Sequence, residues 1–144
     1  MVGSYTITHL EETRALAKTM AGFLADKHHG GVAFVGDLGA GKTTLIRMLI
    51  GEMGGNELEV SSPTYALVNE YDVPGMQVAH FDFYRLKEAE EALDFGVEEY
   101  FEGPWLCLME WPEKIEDIRP PVHFEVNITA LENGDRQVDI SAKK

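Results

Sequence analysis

Eight consecutive residues, Gly36-Asp37-Leu38-Gly39-Ala40-Gly41-Lys42-Thr43, fill every fixed position of the pattern G-x-x-x-x-G-K-[ST]. The chemistry this spacing serves is the holding of phosphates. Glycines let main-chain amides approach an anion closely, and a helix that starts at the end of the loop adds free N–H groups and a positive dipole end. Lys42 would reach the β- and γ-phosphates of a nucleoside triphosphate, and the Thr43 hydroxyl would hold a magnesium ion. The flanks carry the context that the pattern requires. Gly31-Val32-Ala33-Phe34-Val35 reads as a buried strand, and Thr44-Leu45-Ile46-Arg47-Met48-Leu49-Ile50 reads as the first turns of a helix. The competing interpretation, a glycine-rich turn that binds nothing, explains neither flank.

Transfer or hydrolysis of a phosphoryl group needs an acidic residue at a strand end for magnesium and a group that orients the attacking oxygen. Two acids qualify. Glu110 directly follows the apolar run Trp105-Leu106-Cys107-Leu108-Met109, and Asp82 ends Val78-Ala79-His80-Phe81-Asp82 within the cluster His80-Phe81-Asp82-Phe83-Tyr84-Arg85. Strand alternation predicts His80, Asp82 and Tyr84 on one face. The alternative for either acid is an exposed charge that caps the next turn. Ser62-Pro63-Thr64 precedes a strand; its hydroxyls suit either a sensor of the terminal phosphate or an ordinary turn. Trp111 suits either an exposed contact or a ring buried against the sheet.

The elements that must position these groups follow from periodicity and punctuation. Tyr5-Thr6-Ile7 reads as an edge strand. Thr8 and Glu11 have capping-box spacing ahead of a helix over Leu10 to Lys27, which His28-His29-Gly30-Gly31 ends. The adjacent histidines lack a third metal ligand at useful spacing and read as a solvated helix end. The helix after the phosphate loop runs to about Glu52, where Gly54-Gly55 stops it. Tyr65 to Tyr71 and Met76 to Phe83 form a hairpin about Asp72-Val73-Pro74-Gly75. Lys87 to Phe95 reads as a charged helix, Val97 to Phe101 as a further turn, and the run Trp105–Met109 as a central strand. Phe124 to Ala130 and Arg136 to Ile140 flank Asn133-Gly134, read as a type I′ turn. The expected architecture is a single three-layer α/β domain over residues 1–144, with a mixed, largely parallel central sheet and antiparallel hairpins.

Composition narrows the partners. A formal net charge of −13 disfavours gripping a nucleic-acid backbone directly, because that affinity comes mostly from cations. No apolar run approaches a membrane span, and Met1-Val2-Gly3-Ser4-Tyr5 shows no secretory signal. Cys107 is the only cysteine, so no internal disulfide forms, and a cytoplasmic location is expected.

The stretches Gly36–Thr44, Ser62-Pro63-Thr64-Tyr65, His80-Phe81-Asp82-Phe83-Tyr84-Arg85-Leu86, Phe95-Gly96 and Glu110-Trp111-Pro112-Glu113 together resemble the TsaE family, small bacterial P-loop ATPases formerly called YjeE. The resemblance implies a P-loop NTPase fold and a part in making threonylcarbamoyladenosine in tRNAs that read ANN codons. It implies a Mg²⁺-dependent ATPase that acts on the TsaB–TsaD complex and meets tRNA through it, with a monomer expected. Carried onto this sequence, Gly36, Asp37, Leu38, Gly39, Ala40, Gly41, Lys42, Thr43 and Thr44 bind the phosphates of ATP. Thr43 and Glu110 become the magnesium ligands, and Asp82 a residue required for hydrolysis. Ser62 and Thr64 lie in a switch-like segment, Trp111 has a functional part beside them, and Thr8 approaches the adenine. Two rivals use the same loop. A small-molecule or nucleoside kinase would use Asp82 as a base towards an acceptor hydroxyl, and a nucleotide-sensing subunit would need no hydrolytic residue. No long insertion between the motifs offers an acceptor site or lid.

Overall fold

The computed structural model describes residues 1–63 and 66–142. Seven strands form one sheet in the order β1-β7-β6-β2-β5-β4-β3. They are β1 (Gly3–Ile7), β2 (Gly31–Val35), β3 (Val68–Val73), β4 (Met76–Asp82), β5 (Leu106–Glu110), β6 (Val122–Ala130) and β7 (Arg136–Ala142). The central pairings β6–β2, β2–β5 and β5–β4 are parallel, and the outer pairings β1–β7, β7–β6 and β4–β3 are antiparallel. The sheet is therefore mixed with a parallel middle, as the apolar run ending at Met109 predicts. Every residue of β5 is buried, because parallel strands with helices on both faces meet no water.

Two helices, α1 (Leu10–Leu24) and α2 (Lys42–Glu52), cover one face. Their buried Leu16, Met20, Leu24, Leu45, Ile46 and Leu49 pack on Val32, Phe34, Val78, Leu106, Leu108 and Val126. On the other face, Ala33, Ala79, Phe81, Cys107 and Met109 pack with Ala92, Val97 and Ile115 from α3 (Glu90–Asp94), α4 (Val97–Glu102) and the 3-10 turn Pro112–Ile115. These three layers follow from period-2 alternation within each strand. The same alternation decides the site. His80 and Asp82 share parity with Val78, and Glu110 shares it with Leu106 and Leu108, so all three belong to the α1/α2 face.

Several local expectations are corrected. Helix α1 ends at Leu24, not Lys27, and His28 and His29 lie exposed in the following link. Its cap is shifted by one residue. Glu12, not Glu11, accepts the backbone N–H groups of Thr8 and His9, both at 3.0 Å, so His9 is the N-cap. The charged helix expected from Lys87 is only Glu90–Asp94. The Lys87 and Glu88 amides are instead taken by the Glu91 carboxylate at 2.8 and 3.1 Å, a side-chain cap outside the helix. The last hairpin is not closed by a type I′ turn. That turn needs positive φ at Asn133 as well, but only Gly134 (φ 92°) has it, and Ala130 pairs with Arg136 across a five-residue loop. The first hairpin turns on Pro74-Gly75 as read, but its leading strand begins at Val68; the expected start at Tyr65 lies outside the described residues. Among the described residues, no helix is long and apolar enough to cross a membrane.

Candidate functional site

The carboxyl ends of β2, β5 and β4 lie on one edge of the sheet because the three strands are parallel neighbours. That edge is where open α/β sheets place ligands. From the end of β2 the chain enters the loop Gly36–Gly41 and then α2. Two glycines are required by geometry. A Cβ on Gly36 would lie 2.6 Å from the Ile128 carbonyl oxygen of neighbouring β6, a backbone atom that cannot move aside. Gly41 has φ 108°, a conformation that residues with side chains rarely adopt. Gly41 gives α2 no side-chain cap, so the first amides of the helix are left to an anion.

Lys42, at the first position of α2, is almost wholly buried. Its ammonium donates to the Gly36 carbonyl and lies 3.8 Å from the centroid of the Trp111 ring. Burial pushes the Lys42 ammonium below its usual value; Glu110, Glu113, Asp82 and Asp37 push it back up. Trp111 is held in place by its backbone, with φ 58°, and packs on Tyr84 with ring centroids 4.9 Å apart. It is half-buried, packed against the edge of the core on the α3/α4 side with its ring over the Lys42 ammonium, so it is neither a fully exposed contact nor a fully buried ring.

The Thr43 hydroxyl donates to both oxygens of Glu110, at 3.0 and 3.1 Å. Glu110, only 3% exposed, also has the His80 ring nitrogen Nε2 2.7 Å from Oε2. Asp82 pairs in register with Glu110 on the adjacent strand. Its Oδ2 accepts the Ser62 hydroxyl at 2.6 Å, and its Oδ1 accepts the Tyr84 backbone N–H at 3.0 Å. Neither acid is the exposed turn cap of the alternative interpretation. Tyr84 lies beyond the end of β4, so only His80 and Asp82 keep the predicted strand alignment.

Two clefts meet along the loop. One is lined by Gly39, Lys42, Thr43, Asp82, Glu110 and Trp111. The other lies between the start of α1 and the β6–β7 hairpin, with Ile7, Thr8, Thr13, Leu45, Ile128 and Val138 on its walls. Gly41, Thr44 and Arg136 line both. Asp37 and Leu38 are exposed on the loop, Leu38 at 66%, and Ala40 is buried. Thr64 lies outside the described residues; of the Ser62–Tyr65 segment, Ser62 is brought to Asp82.

Sequence reasoning missed Arg136. Its Nε donates to the Ala40 carbonyl at 2.9 Å, its Nη2 to Gly39 at 3.3 Å and its Nη1 to Gly134 at 3.0 Å. Thus the last hairpin clamps the phosphate loop. An arginine at the start of a strand carries no local signal for this. It also missed His80 as a partner of Glu110, although the strand parity that aligns His80 with Asp82 could have indicated it.

The strand, loop and helix at this edge, with the threonine–glutamate pair beneath them, place the chain in the P-loop NTPase class of folds. The comparisons with known proteins agree and narrow the class. The family model "Threonylcarbamoyl adenosine biosynthesis protein TsaE" matches residues 7–138. The tRNA threonylcarbamoyladenosine biosynthesis protein TsaE of Haemophilus influenzae is 43% identical over 75% of this chain and 67% of its own length. The proteins of the same name from Rickettsia conorii and Bacillus subtilis are 40% and 35% identical over 94% and 92% of this chain, covering 76% and 80% of their own. The crystal structure of Bacillus subtilis YdiB superposes with a TM-score of 0.76 at 28% identity, covering 99% of this chain and 87% of that one. The chain belongs to the TsaE family.

Proposed function

We propose that this protein is a Mg²⁺-dependent ATPase of the cytoplasm, required for threonylcarbamoyladenosine formation in tRNAs that read ANN codons. Its hydrolysis would act on the TsaB–TsaD complex, and tRNA would be met through that complex. Membership of the TsaE family supports the pathway. The observation that carries the ATPase reading is the pairing of Thr43 with Glu110, at 3.0 and 3.1 Å, beneath a glycine loop and helix N-terminus.

The donor set fits magnesium: one hydroxyl oxygen and one carboxylate, with room in the cleft for water and phosphate oxygens to complete an oxygen-only shell. Thr43 and Glu110 would hold the ion, which when bound neutralises charge on the β- and γ-phosphates. The remaining work falls to the chain itself. The loop amides and the Lys42 ammonium bind the phosphates, and Trp111 shields that ammonium from water. Asp82, anchored by Ser62 and the Tyr84 amide, orients the attacking water. The apolar walls around Thr8 take the base, Ile128 and Val138 lying on the opposite side.

The test is ATP hydrolysis by the purified protein alone and with TsaB, TsaD and tRNA. Slow turnover alone and a large rise with the complex support the reading. A fast intrinsic rate, or phosphate appearing on a small-molecule acceptor, overturns it in favour of a kinase.

A further inference from the structure

His80 has no part in the chemistry set out above, yet its surroundings are unusual for a core residue. It is fully buried on β4, with Nε2 2.7 Å from Glu110 Oε2 and Nδ1 buried without a hydrogen-bond partner. An ionised carboxylate has no proton to give, so the imidazole is the donor and the proton sits on Nε2. Nδ1 is left buried without a partner, a cost that a leucine in the same volume would avoid. Packing alone therefore does not account for a histidine here.

What the Nε2–H group does is complete the set of contacts on Glu110. Thr43 approaches both carboxylate oxygens from the helix side at nearly equal distances, and so does not distinguish them. His80, on the neighbouring strand, engages Oε2 alone and makes the two oxygens unequal. Groups behind a metal-binding carboxylate commonly fix its orientation in this way.

We propose that His80 is a positioning residue for magnesium, holding Glu110 in the one rotamer that presents Oε1 and the Thr43 oxygen together. This rests on the reading that Thr43 and Glu110 hold magnesium beside bound nucleotide. His80 does not touch nucleotide; it acts through Glu110.

The experiment measures ADP binding to the full chain by titration calorimetry, in EDTA and across a range of MgCl₂ concentrations. His80→Leu removes the donor at similar volume, and His80→Gln restores an N–H group near the position of Nε2. His80→Leu should raise the Mg²⁺ concentration giving half of the metal's effect on ADP affinity by about 10- to 100-fold, the range usual for such second contacts. Affinity in EDTA should stay unchanged, and His80→Gln should recover most of the loss. A wild-type Mg²⁺ dependence in His80→Leu overturns the proposal, as does a His80→Gln variant as impaired as His80→Leu. If the wild-type protein itself shows no Mg²⁺ effect on ADP affinity, the metal reading of Thr43 and Glu110 fails first. Should His80→Leu not fold, nitrogen NMR of the histidine rings in the wild-type protein decides. A proton on Nε2, with a resonance that moves in Glu110→Gln, supports the proposal, and an Nε2 without a proton overturns it.

Discussion

Arg136 and Ala40 are 96 positions apart in the chain, yet the Arg136 guanidinium donates to the Ala40 carbonyl at 2.9 Å. A second nitrogen reaches Gly39 at 3.3 Å. The loop that would hold phosphates is thus braced from outside by the first residue of β7, with the guanidinium lying where the two clefts join. Planar, forked donors suit two successive carbonyls better than a lysine ammonium does. Arg136→Ala should weaken ATP binding about 10-fold, the equivalent of losing one charge-assisted hydrogen bond. Arg136→Lys should lie between the two in binding titrations, and equal affinities in all three proteins would show that the brace is idle.

Lys42 and Trp111 should report nucleotide directly. The indole lies over the ammonium at 3.8 Å, so moving the ammonium onto a phosphate changes the indole's surroundings. Trp111 fluorescence should change on adding ATP, with Trp105→Phe used to remove the other tryptophan. Lys42→Ala should abolish the change and lower affinity about 100-fold, as expected for loss of a strong charged contact. Unchanged affinity in that variant would refute the phosphate-loop reading.

Asp82 should separate binding from turnover. Its carboxylate is held by Ser62 and the Tyr84 amide, so Asp82→Ala removes neither a loop amide nor the Lys42 ammonium. Partner-stimulated hydrolysis should fall by about 100-fold or more, the scale of a positioned acid or base, with ATP affinity changed little. Equal loss of both would make Asp82 a structural residue.

Cys107 gives a prediction about pH. Burial in β5 pushes its thiol up to about 12, so the folded chain holds that proton more tightly than the unfolded chain, in which cysteine titrates near its ordinary value. This contribution to stability is therefore fully present below about pH 8.5 and fades as pH rises towards about 12. In urea titrations, the stability of the wild-type protein relative to Cys107→Val should decline across that window and stay flat below it. At pH 8 the native thiol should resist iodoacetamide and react only on unfolding.

How much of this was legible in the sequence depended on how far each signal reached along the chain. The loop and its flanks are local patterns and fall where local reading puts them; β5 is shifted by one residue, so Glu110 ends the strand rather than following it. Parity along β4 aligned His80 with Asp82, as found, but did not reach Tyr84, which lies past the end of the strand. The cap of α1 was misread by one position because Glu11 and Glu12 both offer a carboxylate and only the backbone path selects Glu12. The helix expected from Lys87 was overridden by a side-chain cap at Glu91. Arg136 was invisible because its partners are carbonyls, which no residue type marks, on a segment brought close only by the pairing of β6 with β2.

That pairing also orders events during synthesis. Strand β2 emerges early but sits between β5 and β6, both of which leave the ribosome later. The segment carrying the phosphate loop therefore has both sheet edges unfilled while most of the chain is being made. The clamp from Arg136 comes later still, on the last strand. Such distant partners make closure slow compared with local helix formation. A truncated product lacking β7 would therefore carry the whole motif without the brace that Arg136 places on it.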